Sequence, residues 1–109
     1  MRHVYHLATR RDWEKQRQGP YKAESLKTEG FIHCSNREQV AAAANRFYEK
    51  ERELLLLTVD ADRLTSLLSD DESDSGERFP HIYGPIDREA IIKVEEMRRD
   101  GGGEWTLPE

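Results

Sequence analysis

Residues 3–8, HVYHLA, alternate between apolar and polar positions and are rich in β-formers, which predicts a short strand. Thr9 followed by Asp12 has the form of a helix N-cap with an acidic third position, so a helix is expected to about Gln18, stopped by Gly19-Pro20. GPYKAESLKTEG reads as a connection, and FIHCS, 31–35, as a second strand. Ser35 with Glu38 fits a capping box, and Val40, Ala43, Ala44 and Phe47 recur at helical spacing, predicting a helix over 36–50. LLLLTV, 54–59, is too short for a helix and apolar on both faces, which suggests a central strand covered on two sides. SDDESDSGE, 69–77, is acidic and aperiodic and is expected to be a mobile surface loop, at most a lid over a site. FPHIYG predicts a strand beginning after Pro80, DREA a turn, and AIIKVEEM the last strand. The expected architecture is a single α+β domain over 1–98 with a flexible tail over 99–109, unless Trp105 docks onto the body.

A chain of 109 residues has room for one core. No apolar run approaches the roughly 20 residues needed to span a bilayer, and the N-terminus is too polar for a signal peptide, so a soluble, cytoplasmic protein without membrane partners is expected. Cys34 is the single cysteine, which excludes an internal disulfide and a cysteine-rich zinc module. The net charge of −5 disfavours general binding to a nucleic-acid backbone. That charge is unevenly spread: residues 1–37 carry +4 and the remainder −9. An anion-seeking N-terminal region is one reading, and solvated helix faces are the other.

Side chains alternate faces along a strand, so Ile32 and Cys34 face one way while Phe31, His33 and Ser35 face the other. His33 and Cys34 therefore make a poor catalytic dyad, and Cys34 is expected to be a small buried residue. The same alternation sets Tyr5 and Leu7 opposite His6, and Ile82 opposite His81 and Tyr83. Three strands then share an apolar face of Tyr5, Leu7, Ile32, Cys34 and Ile82, and a polar aromatic face of His6, His33, Ser35, His81 and Tyr83. A lone strand histidine is more often a hydrogen-bonded structural residue than a catalyst, but three such strands in one sheet would line a cleft. Imidazole both donates and accepts hydrogen bonds, which suits ribose hydroxyls, a leaving group or a metal.

YHLAT, SLKTEGFIHCS and FPHIYGP, in this order across almost the whole chain, resemble the small bacterial proteins catalogued as domain of unknown function 952. The resemblance implies a fold related to the ADP-ribosyltransferase superfamily, a split mixed β-sheet with helices that holds NAD in a cleft. By position, His6 resembles that superfamily's first-strand histidine, which bonds the nicotinamide-side ribose. His33 resembles the second-motif residue at the cleft, and Tyr83 or His81 stands at the third-motif position, where a glutamate is common. Two departures mark this chain: Leu7 follows His6 where many transferases have glycine, and HIYG offers no glutamate. The implied function is binding of NAD or a related nucleotide, with ADP-ribosyl transfer or NAD cleavage as the reaction and the acceptor macromolecule open. Catalytic candidates are thus His6, His33, His81 and Tyr83. Ser35 and Arg37, at the expected start of the long helix, with Arg10 and Arg11 after the first strand, are the candidates for its phosphates.

Two other functions compete. A non-catalytic nucleotide-recognition module would use the same histidines for binding alone. A zinc site would take His6, His33 and His81 as three ligands, although no HxH or HExxH spacing supports it. Asp71, Ser73, Ser75 and Gly76 loosely mimic the start of a calcium loop, but Ile82 stands where a bidentate glutamate is required.

Overall fold

The computed structural model describes residues 1–108 of the chain. β1 (His3–Thr9) runs directly into α1 (Arg10–Glu14), because the Thr9 side chain accepts a 3.1 Å hydrogen bond from the Asp12 N–H and caps the first turn. α1 ends well before Gln18, and the chain turns back at Gly19, whose φ of 77° favours glycine. Tyr21 and Ile86 then exchange two backbone hydrogen bonds of 2.8 Å, which tie the connection down. After α2 (Glu24–Thr28) comes β2 (Ile32–His33), only two residues long. Ser35 remains extended because both of its backbone groups bond Tyr5, at 2.9 and 2.7 Å. The capping box consequently falls one residue later than its sequence signature suggests, on Asn36 and Gln39. A 3-10 turn, Arg37–Gln39, leads into α3 (Val40–Phe47), which ends short of residue 50.

β3 (Leu54–Asp60) is buried at all seven positions and lies between β1 and β6 (Ile91–Glu96), as its unbroken apolar run predicts for a central strand. The second sheet has the order β2, β5 (Arg78–Tyr83), β4 (Leu67–Glu72). Every strand pairing among the described residues is antiparallel, so the β-structure is split between sheets but contains no parallel pair. No helix is long and apolar enough to cross a membrane among these residues.

β4 corrects the expectation of a mobile loop over 69–77. Its acidic side chains are dispersed and paired: Asp70 takes two hydrogen bonds from the Arg2 guanidinium at 2.7 and 3.0 Å, and Glu72 lies across from Arg78. Only the five residues 73–77 form a turn, closed by Ser73 N–H donating to Glu77 at 2.8 Å with Gly76 at φ 88°. β5 also starts earlier than expected, at Arg78, with Pro80 inside it. The Pro80 carbonyl accepts from Cys34 N–H at 3.0 Å, so its missing donor faces the side where the β2 pairing has ended.

Through Thr106 the tail is pinned to the body, by the docking of Trp105. β7 (Arg98–Arg99) pairs with β8 (Trp105–Thr106), and Trp105 is buried with its indole N–H donating to the Tyr48 carbonyl at 2.8 Å. Asn45 bonds both backbone groups of Trp105, at 2.6 and 3.1 Å, and the Arg99 guanidinium lies 3.8 Å over the indole ring. Two apolar clusters result. One joins Val4 and Ala8 of β1 to Ile32, Cys34 and Ile82 of the second sheet; the other packs Tyr5, Leu7 and Leu56 against α3, Met97 and Trp105.

Candidate functional site

These two clusters divide the apolar face expected from strand alternation, because β1 belongs to one sheet while β2 and β5 belong to the other. Tyr5 and Leu7 turn toward α3; the opposite face of β1, which carries His6, meets Ile32, Cys34 and Ile82. His6 is therefore buried between the sheets, and not beside His33 and His81 on an open face. Its Nδ1–H donates to the His33 carbonyl at 2.7 Å, and its ring lies 5.7 Å from that of Tyr21. Burial lowers its pKa to about 4, opposed in part by the bond to that carbonyl. A neutral His6 is thus a link that holds the β2 backbone onto the first sheet.

The other three candidate residues do come together. His33 and His81 are direct cross-strand partners, their ring centroids 5.4 Å apart, and both point away from the inter-sheet core. Phe31 stacks on His81 at 4.1 Å and also touches His33 at 4.9 Å and Tyr83 at 5.4 Å. This aromatic face is open: Tyr83 is 42 % exposed and Leu67, its partner on β4, 68 %.

Asp71, from the stretch expected to be a loop, reaches the same face. Its carboxylate accepts from His81 Nδ1–H at 2.9 Å, from Ser69 Oγ at 2.7 Å, and from the Tyr83 hydroxyl in a short hydrogen bond. The Tyr83 and Ser69 bonds, and then His81, hold the Asp71 carboxyl at about 2, and the same carboxylate raises the pKa of Tyr83. On the far side Glu29 accepts from His33 Nε2–H at 3.0 Å. The face therefore combines four rings with two carboxylates. Alternation alone identifies His33, His81 and Tyr83. It also places Phe31 on the His33 side of its strand, without a role there; Glu29 and Asp71 are not foreseen, and for Asp71 the one available signal is the glycine turn at Gly76 ahead of a second strand.

The phosphate candidates do not assemble. Arg10 lies against Glu14, Glu53 and Glu96 at 3.4, 3.0 and 2.8 Å, next to the end of β1. Ser35 is buried, bridged to Tyr5, four strand residues or roughly 13 Å back along β1. Arg37 follows it with its guanidinium 5.6 Å from the Tyr5 ring centroid, and Arg11 is exposed on α1. Zinc held by His6, His33 and His81 is also ruled out by geometry, since His6 lies on the opposite side of β2 from the other two rings, and no metal-binding group of three His, Cys, Asp or Glu occurs among the described residues. Cys34 faces the core, where burial pushes its thiol pKa up, so it is inert.

Fold and face together define a small antiparallel α+β protein with an open aromatic and imidazole surface on its second sheet. The chain belongs to the family described as "Protein of unknown function (DUF952)", whose sequence profile matches residues 7–94. It is similar to CC0527 from Caulobacter crescentus, whose crystal structure superposes with a TM-score of 0.85 at 28 % identity, over 96 % of this chain and 94 % of that one. The solution NMR structure of the same protein gives a TM-score of 0.76 at 28 % identity, over 95 % and 91 % of the two chains. No curated protein matches the chain.

Proposed function

We propose that the outer face of the second sheet binds NAD or a related nucleotide by its nicotinamide-riboside end, and that the family is a divergent relative of the ADP-ribosyltransferase-like proteins. One observation carries this reading: Phe31, His33, His81 and Tyr83 gather on one exposed surface around the ionised Asp71. Open rings stack on a planar base, an adjoining carboxylate favours a cationic pyridinium, and imidazoles hydrogen-bond ribose hydroxyls. Among the described residues no arginine or lysine is hydrogen-bonded, ion-paired or stacked with the cluster, which suits the base and sugar better than the phosphates. The two small sheets, joined at Tyr5 and Ser35, are consistent with a split-sheet relationship.

If the bound nucleotide is cleaved, the nicotinamide leaves with the electrons of the bond to ribose, and water or an acceptor hydroxyl attacks the sugar carbon and gives up its proton to solvent. Asp71 would then oppose the positive charge that develops on the sugar, in the part the third motif lacks a glutamate to play. A second reading, recognition without turnover, is favoured by the saturation of Asp71 by three donors, which leaves it little capacity to respond to a reacting sugar.

Titration with NAD and with nicotinamide riboside, followed through the imidazole signals of His33 and His81 with free nicotinamide assayed in the same samples, separates these readings. Saturable shifts that Phe31→Ala weakens by about 1–3 kcal/mol are expected. Shifts without released nicotinamide mark a recognition module; no shift at millimolar ligand removes the nucleotide altogether.

A further inference from the structure

The outer face of the first sheet carries a separate pocket of about 300 Å³, over the row formed by Tyr5, Thr58 and Lys93. It lies across the molecule from the aromatic face, because Tyr5 and Thr58 point away from the core that the two sheets share. Its lining includes hydroxyl and imidazole groups that make no hydrogen bond among the described residues. Thr58 and Tyr5 are 6 % and 9 % exposed, yet neither hydroxyl makes a hydrogen bond among the described residues. Nε2 of His3, also in the wall, is buried with no hydrogen-bond partner among the described residues. Buried polar groups are ordinarily paired, and one left alone costs about 1–3 kcal/mol, so His3 Nε2, with two free hydroxyls beside it on the same hollow, marks a place where a partner belongs.

Charge indicates what that partner is. Arg37 stands over Tyr5 and makes no ion pair among the described residues, while Lys93 is 3.4 Å from Glu95 at the rim. A guanidinium and two hydroxyls present donors, an imidazole nitrogen can present one, and the single acid among the described lining residues, Glu95, is already paired. The volume is at the lower end for small-molecule sites. We infer that this pocket binds a small oxyanion, the phosphoryl or carboxylate group of a small molecule, held by Arg37 with Tyr5, Thr58 and His3 supplying neutral hydrogen bonds. The inference is independent of the nucleotide reading, which uses the other sheet.

Inorganic phosphate and malonate, titrated separately into the full chain at constant ionic strength set with chloride, test it by two-dimensional amide and imidazole NMR. A saturable shift of the Thr58 amide and the His3 ring is expected with at least one probe, and which probe binds tells phosphoryl from carboxylate. The His81 signal should stay in place. Arg37→Gln, at an exposed position that leaves folding intact, should weaken binding about tenfold or more. Thr58→Val, which keeps the shape, should weaken it less, with amide dispersion as the check on folding. Shifts that do not saturate, equal affinity in Arg37→Gln, or silence with both probes would each overturn the inference.

Discussion

Acid should weaken this protein through His6 before it reaches any carboxylate. The folded ring has its pKa lowered to about 4 from 6.5, so between these values the unfolded chain accepts a proton that the folded chain refuses. Above 6.5 both states are neutral and the full stability is present. It falls as pH drops through the interval and levels off below about 4. At 1.36 kcal/mol per pH unit the whole interval is worth about 3 kcal/mol, and the loss accumulated by pH 5 is about 2 kcal/mol. That is a large share of a small domain's stability. Urea unfolding at pH 7.5 and pH 5.0, on the natural chain and on His6→Asn, measures it. Asparagine keeps a donor near the position of Nδ1 but cannot charge. The variant is expected to be less stable at pH 7.5, from lost packing, and to lose about 2 kcal/mol less than the natural chain on going to pH 5.0, all other titrating groups being common to both. Equal losses in the two proteins, or a His6 ring that protonates near 6.5 with the fold intact, would refute the reasoning.

Asp71→Asn removes the charge that raises Tyr83, so phenolate absorbance at this tyrosine should develop at lower pH than in the natural chain; an unchanged titration would show that the carboxylate does not govern the phenol. A Cβ at Gly84 would stand 2.9 Å from Ser66 Cβ and closer still to its hydroxyl, so Gly84→Ala is expected to cost about 1–3 kcal/mol in urea unfolding, largely recovered in the double variant with Ser66→Gly. Trp105→Ala should cost about 3–5 kcal/mol and release the β7–β8 hairpin, seen as faster amide exchange at Arg99 and Thr106.

The local grammar of the chain was legible without any structure. The Thr9 cap, the buried run of β3, the strands around His33 and His81, the inward-facing Cys34 and the α+β class all follow from spacing and alternation, which depend only on neighbours along the chain. Tertiary pairing decided the rest. Alternation tells which side chains share a face of one strand but not which strands share a sheet, and the assignment of β1 to a different sheet turned His6 from an open cleft into the core. Acidic composition concealed β4, since the pairings of Asp70 with Arg2 and Glu72 with Arg78 join residues that only folding brings together. The same long-range pairing delivered Asp71 to Tyr83 and separated Arg10 from Arg37. A short-range pattern carries no information about such contacts, because their energies depend on distances through space that the sequence order leaves open.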